Sequence, residues 1–349
     1  MTSMGGRPGT AHVPTDVARD VRTAVEAAVW APSVHNTQPW LFAVRGSRIS
    51  LRADPDRRLA AADPEGREML ISCGAALATL RIALRALGRE VRVRELPDPD
   101  RPNLLADVDL GAPTADDEHA RRLHGAVRRR RTHRGAFKPV PVSPSLLGAL
   151  RAEAGSDGVR VVQAVEEHTR HALAGLTQAA EHLLHLDPRL AGEEARWAPV
   201  PGSRRADGVP ETAYPGEAPR TDPHFPPRDF ARGHDWGVRL ADPGEGPSEA
   251  SVGLVMLLTT ERDTPLDWLR AGQALQRMLL RATAEEGLAA AFHTQALEIP
   301  ELREFIRTRF CNGRPPQMLL RLGVPEGPEL TTVRRPVEEV LRDETDLGH

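Results

Sequence analysis

The sequence predicts an α+β protein written in two similar halves, and two observations carry that prediction. Short runs with strand-like alternation are interleaved with amphipathic helices along the whole chain. Two long helical stretches then share one grammar. Asp63-Pro64 to Gly88 and Thr264-Pro265 to Gly287 each open on a cap residue and a proline, pass through a small-residue middle (CGAAL, AGQAL) and stop at glycine. A repeat this long marks a duplicated domain and not a solenoid.

The elements follow in order. Val17, Val21, Val25 and Ala28 recur at helical spacing behind a Thr15-Asp16 cap signal, which gives a first helix ending at Pro32. LFAVRG and SRISLRA alternate as a strand pair around Gly46. The next helix carries Leu70, Cys73, Leu77, Leu80, Leu84 and Leu87 on one stripe, and two short strands follow near EVRVREL and ADVDLG. A helix through EHARRLHGAV is broken by Pro139, Pro141 and Pro144. In the second half, Val252 to Thr260 reads as a buried strand, WLRAGQALQRMLLRATAEEGL as a long helix and PPQMLLRLGVP as a strand with Met318 and Leu320 on one face. The domains expected are residues 1–124 and 125–349. The second contains an insertion at about 197–232 that is rich in proline, glycine and charge. Trp197, Tyr214, Phe225 and Phe230 within it favour an ordered lid over a solvated linker.

Composition narrows the function. A net charge of −3 over 349 residues and a pI near 6.5 provide no global field to recruit nucleic acid or anionic lipid. Cys73 and Cys311 are the only cysteines, which suits a reduced chain without a disulfide framework. No signal-peptide core and no uninterrupted apolar run of membrane-spanning length appear, so a cytoplasmic protein with neither membrane nor nucleic-acid partner is expected. His168 and His171, and His182 and His185, are three apart on one predicted helix, a spacing that can share a metal. Without a nearby cysteine or an HExxH arrangement they read as surface histidines, and no metal site is expected. GxSxG, GxGxxG after a strand and GxxxxGK[ST] are absent, which argues against a hydrolase elbow, a Rossmann dinucleotide site and a P-loop.

Two stretches point to chemistry. APSVHNTQPW, residues 31–40, packs neutral hydrogen-bonding side chains between two prolines, more than a helix-to-strand connection requires. Arg128 to Arg131, Thr132 and Arg134 could present guanidinium forks and a hydroxyl to one small anion, or form a solvated basic face in a chain whose only lysine is Lys138. A second pair, Arg334-Arg335, follows the last strand.

APSVHNTQPW, REMLISCGAALATLRIAL, RRRTHRGAF, RADGVP, DWLRAGQALQRMLLRA, AAFHTQALE, and PPQMLLRLGVP with RRPVEEVL occur in this order over most of the chain. Together they resemble the FMN-binding nitroreductase superfamily and, within it, the duplicated Acg-type subfamily. Ordinary members are homodimers in which an R-x-S-x-R type motif of one subunit binds the phosphate and a PSxxNxQPW type loop reaches across from the other. Here the first half holds the loop and the second half the arginine motif. The resemblance therefore implies two tandem nitroreductase-like halves, each a mixed, largely antiparallel sheet flanked by helices. They would form an intramolecular pseudo-dimer with one FMN site, either monomeric or a weak homodimer.

By the same resemblance, Arg131, Thr132, Arg134, Arg334 and Arg335 match the phosphate contacts. Ser33, Asn36 and Gln38 match the loop at the isoalloxazine edge, where amide groups suit the ring's acceptors and N–H donor. Thr294 and Gln295 match the stretch passing the reactive side of the ring. No dedicated catalytic acid or base is identified, since the flavin carries the redox chemistry. Two functions are consistent with these residues. One is an NADPH- or NADH-dependent oxidoreductase acting on nitroaromatics, quinones or a dedicated small metabolite; the other is a non-catalytic FMN storage protein closed by the 197–232 lid.

Overall fold

A computed structural model describes residues 15–214, 217–218, 220–230, 239–240, 250–327 and 329–344. Residues 1–14 and 345–349 of the expected halves, and 215, 216, 219, 231 and 232 of the expected lid, lie outside the described residues. The chain runs α1 (Thr15–Ala28), β1 (Trp40–Arg45), β2 (Arg48–Ala53), α2 (Arg67–Ala86), β3 (Arg89–Glu95), β4 (Leu104–Pro113) and α3 (Glu118–Ala126). It continues with α4 (Pro144–Gly155), β5 (Arg160–Gln163), α5 (Glu167–Leu186), α6 (Pro188–Arg196) and the two-residue strands β6 (Glu217–Ala218) and β7 (Arg239–Leu240). The last elements are β8 (Leu254–Thr259), α7 (Pro265–Glu286), β9 (Ala289–Phe292), α8 (Gln295–Glu298), α9 (Pro300–Phe310), β10 (Pro316–Gly323), α10 (Val337–Val340) and β11 (Leu341–Asp343).

The first sheet has the order β11-β1-β2-β4-β3, and the second β5-β8-β10-β9. Pairing is antiparallel throughout both except for β11, which lies parallel to β1 with Phe42 opposite Leu341. This α+β architecture is the one the sequence predicts. Phe42, Ile49, Leu51 and Val108 bury one face of the first sheet, and Met256, Leu258 and Leu320 lie in the same core from the second.

Between the sheets α2 and α7 pack against each other, and the small-residue middles are their contact. A Cβ placed on Gly74 would lie 2.1 Å from the Leu269 carbonyl oxygen, and one on Gly272 would lie 1.9 Å from that of Ile71. Each glycine thus admits the opposing backbone where any side chain would collide. Gln276 crosses this buried contact to donate to Thr79 Oγ1 at 2.9 Å. Burial on nearly every side explains why α2 is apolar enough to match a membrane span in length and composition while being packed inside the protein.

Helix α7 starts as the sequence predicts, with a Thr264–Asp267 capping box, Pro265 in the first turn and Gly287 in the left-handed conformation at its end. Helix α2 starts later than predicted. Asp63-Pro64 forms the preceding turn, Gly66 takes φ +77° at the helix entrance, and the Asp63 carboxylate accepts from Met69 N at 2.9 Å. The division at 124/125 does not coincide with a spatial boundary. It falls inside α3, and α10 and β11 return to the first sheet.

Candidate functional site

The loop between α1 and β1 is held in a costly conformation. His35, Asn36 and Gln38 all have positive φ (45°, 53° and 50°) although none is glycine. Each such residue stores on the order of 1–3 kcal/mol, which the surroundings must offset. Ser33 Oγ accepts from Gln38 N at 3.0 Å, Ser72 Oγ accepts from Val34 N at 3.0 Å, and Arg57 donates to the Thr37 carbonyl at 3.0 Å. Trp40, fully buried, anchors the loop's end in the core.

This loop forms one wall of a cavity of about 140 Å³ bounded by α2, α7, β9, β10, the Arg130–Arg134 stretch and the lid. Its floor is apolar, with Ile71 and Ala75 from α2 and Leu275 from α7. At one side three guanidinium groups crowd together. Arg131 and Arg334 lie 5.8 and 5.4 Å from the Trp30 ring centre, and Arg130 and Arg334 both donate to the Trp30 carbonyl at 3.4 Å. Arg130 Nε and Nη1 and Arg334 Nε are buried without a partner among the described residues. Neither Arg130 nor Arg334 pairs with a carboxylate among the described residues, and Arg131 meets only exposed Glu329 at 3.6 Å. Burial, followed by repulsion from its neighbours, lowers Arg334 to about 9 and Arg130 to about 10. Positive groups packed this closely, with no buried carboxylate between them among the described residues, have the chemistry to hold a multiply charged small anion.

The lid closes the opposite side. Asn36 donates to the Gly208 carbonyl at 2.8 Å, Gln38 donates to that of Ala206 at 2.8 Å, and Arg57 pairs with Asp207 at 2.8 Å. RADGVP is therefore the lid's docking segment. Behind it Ala198, Val209, Ala213, Tyr214 and Phe230 share a small core, and Trp197 is buried. Arg228 reaches from the lid to Glu298 and Glu194, and these buried carboxylates hold its pKa above the usual guanidinium value. Glu68, on the cavity wall beside Arg67 at 2.8 Å, is raised to about 8 by burial and by Glu298.

Three cavity-lining histidines are kept neutral. Burial, with Arg228 and Arg134 nearby, holds His35 well below the ordinary imidazole value; both its ring nitrogens lack partners among the described residues, and Phe230 sits edge-on at 4.8 Å. Burial also lowers His133, whose Nε2 is 2.6 Å from the Ala136 carbonyl. In His293, Nε2 accepts from Arg321 at 2.8 Å, so Nδ1 carries the proton and donates to the Pro226 carbonyl at 3.2 Å. Because these imidazoles would protonate near 6.5 when exposed, each withdraws stability as pH falls below that value. Glu68 acts with the opposite sign: its contribution is complete below the ordinary glutamate range and is lost as pH rises through about 8.

Of the residues singled out in the sequence, Ser33, Asn36, Arg131, Thr132, Arg134, Thr294 and Arg334 line this one cavity. Gln38, Gln295 and Arg335 do not. Gln38 is fully buried, with its amide spent on Ala206 and on the Arg335 backbone N–H at 2.8 Å; Gln295 donates to Glu181 at 2.9 Å. Arg335 points back to the Gln38 carbonyl and Glu339. Arg134 turns from the other arginines to stack on Tyr214 at 5.3 Å and to donate to the Ala213 carbonyl, so it braces the lid. The sequence reading had Arg130 in view within the arginine run but not among the residues matched to the phosphate, and it missed Trp30, one residue before the quoted loop. It also missed His35, Glu68, Arg228 and Arg321, whose burial no local pattern signals. The paired histidines of α5 do not join this site: His171 meets Asp222 at 2.9 Å and His185 meets Glu181 at 3.3 Å. Among the described residues no cluster of histidine, cysteine and carboxylate side chains is arranged to hold a metal.

The cavity brings together the loop before β1, the Arg130–Arg134 stretch and Arg334, beside the α2–α7 seam; comparison with known proteins supplies the family. The chain is 36% identical over 331 residues, 93% of its length and 91% of the relative's, to a Mycobacterium tuberculosis protein named "Putative NAD(P)H nitroreductase Rv3131". It is 31% identical over 333 residues, 94% of its length and 96% of the relative's, to that organism's "Putative NAD(P)H nitroreductase acg". The chain belongs to the nitroreductase family, with Rv3131 and acg as relatives along nearly its whole length. No family model matches it. Solved nitroreductases with bound FMN from Bacteroides fragilis and Desulfitobacterium hafniense overlap it only loosely. Their TM-scores are 0.37 and 0.35 at 11% and 14% identity, over 61% of this chain and 94% of each of theirs.

Proposed function

We propose that the cavity binds one FMN per chain and that the protein is an NAD(P)H-dependent oxidoreductase. The carrying observation is the cluster of Arg130, Arg131 and Arg334: Arg130 and Arg334 keep buried donors unspent, and no buried carboxylate pairs with any of the three among the described residues. A phosphate monoester, carrying about −1.5 to −2 charges near neutrality, suits this cluster in charge and in acceptor number. Ser33, Asn36, Thr132 and Thr294 would supply polar contacts to the rest of the cofactor, and Ile71, Ala75 and Leu275 its apolar bed. Gln38 and Arg335 hold the loop, the lid and the C-terminal segment in register, and Gln295 fixes the α8 entrance to α5. Flavin, when bound, supplies hydride and electron transfer between a nicotinamide donor, NADH or NADPH, and an acceptor. The acceptor class comprises nitroaromatics, quinones or a dedicated small metabolite. Reciprocal glycine contacts at the α2–α7 seam support a duplicated origin, in which a monomer reproduces the two-subunit site of ordinary relatives.

One observation favours a second reading, a flavin-sequestering protein. Asn36 is already bonded to the lid at Gly208, and Phe230 and Val209 close the cavity. Deleting residues 204–222 opens the lid while leaving Phe225 in the core. For an enzyme, the intact chain turns over NADPH with a nitroaromatic acceptor. Turnover confined to the deletion variant, with flavin retained in both, overturns that reading in favour of sequestration.

A further inference from the structure

Arg321 is a further buried cation on the cavity wall, apart from the Trp30 cluster and from Arg134 and Arg228. It projects from β10, is 4% exposed, and lies between the rings of Phe137 and Phe225 at 5.3 and 5.6 Å. Its Nε is spent on His293 Nε2 at 2.8 Å and its Nη1 on the Val252 carbonyl at 3.3 Å, both neutral acceptors; Nη2 has no partner among the described residues. His293 cannot share the charge, because its proton is already committed on Nδ1 to Pro226. No carboxylate pairs with Arg321 among the described residues. The acidic groups of the cavity region are engaged elsewhere, Glu68 by Arg67 and Glu298 by Arg228. Burial lowers Arg321 to about 10, so it remains charged at neutral pH.

A buried charge without a counter-ion is costly unless a ligand completes it. The cofactor phosphate does not do so in the flavin reading, because Arg130, Arg131 and Arg334 already match its charge. Beside Arg321 the surroundings are apolar and aromatic: Ala291, its cross-strand partner, lines the cavity with it, and the Phe137 and Phe225 rings flank the guanidinium. We propose that Arg321 is a specificity residue that selects an acceptor bearing a carboxylate on an aromatic or apolar body, with Nη2 donating to one carboxylate oxygen and His293 fixing the guanidinium plane. This rests on the flavin reading of the same cavity.

The test is calorimetric titration of the protein, as purified, with phenylacetate and with phenylacetamide, neither of which is reducible in this chemistry. A charge-assisted hydrogen bond in a buried site supports about a ten-fold or larger preference for the carboxylate. The preference is expected to vanish in Arg321→Met and to survive in part in Arg321→Lys. Equal binding of the two probes by the wild-type chain, or an unchanged preference in Arg321→Met, overturns the assignment; if Arg321→Met does not fold, the wild-type and Arg321→Lys titrations decide. Flavin content read from the same samples separates the two layers. Bound flavin with no carboxylate preference removes this inference alone, whereas a carboxylate preference in protein that neither carries flavin nor takes up added FMN supports the Arg321 site and removes the flavin reading.

Discussion

Arg131→Ala combined with Arg334→Ala is expected to weaken FMN binding by about two to four orders of magnitude, since each charge-assisted contact to phosphate contributes about 1.5–3 kcal/mol. The pair is chosen because both guanidinium groups converge on Trp30 and no buried carboxylate holds either. Arg334 is repelled by Arg130 and Arg131, and Arg130 by Arg131, so removing two of the three charges relieves this repulsion. The double variant without flavin is therefore expected to be at least as stable as wild type, which separates loss of binding from loss of fold. Fluorescence titration of FMN into the flavin-free proteins measures the effect. Arg134→Ala is the internal comparison: its guanidinium is turned to Tyr214 and Ala213, so its effect on FMN affinity is smaller than that of the pair. Affinity unchanged in the double variant would remove the phosphate assignment.

Gly272→Val is expected to abolish the native fold or cost more than about 3 kcal/mol, the upper part of the range for overpacked cores. The obstacle is backbone and not a movable side chain. An added Cβ lies 1.9 Å from the Ile71 carbonyl oxygen, so α2 and α7 must separate before it fits. That separation opens the core shared by the two sheets and displaces Ile71, Ala75 and Leu275 beneath the cavity. Gly148→Ala on α4 provides the contrast. No heavy atom lies within 4 Å of its added Cβ, and removing a glycine from a helix interior stabilises by roughly 0.5–1 kcal/mol. Urea unfolding of both variants gives the comparison, and a Gly272→Val chain within about 1 kcal/mol of wild type would show that the seam tolerates what its geometry forbids.

Helical spacing in the sequence was enough to place α1, α2 and α7, and the matching CGAAL and AGQAL segments marked the seam before its purpose was visible. Alternation about Gly46 located β1 and β2 for the same reason, because a half-buried hairpin writes its pattern locally. What remained hidden depends on long-range contacts. Strand β11 is three residues long, and its pairing with β1 is fixed by the path of the preceding arginine segment, not by its own pattern. Asn36 and Gln38 were legible as hydrogen-bonding groups, but their partners lie some 170 and 300 residues away, in the lid and beside Arg335. Within the arginine run the sequence could not tell which side chain points inward. The turn after α3 buries Arg130 and sends Arg134 to the lid. Positive φ at His35, Asn36 and Gln38 was also invisible, since no glycine announced it.

The central claim is that this cavity is a flavin site completed by segments from both ends of one chain. The visible absorption spectrum of the purified protein, with flavin quantified against protein, tests it most directly. One FMN per chain, released on denaturation, is the expected result. A colourless protein that takes up no added FMN would contradict the account.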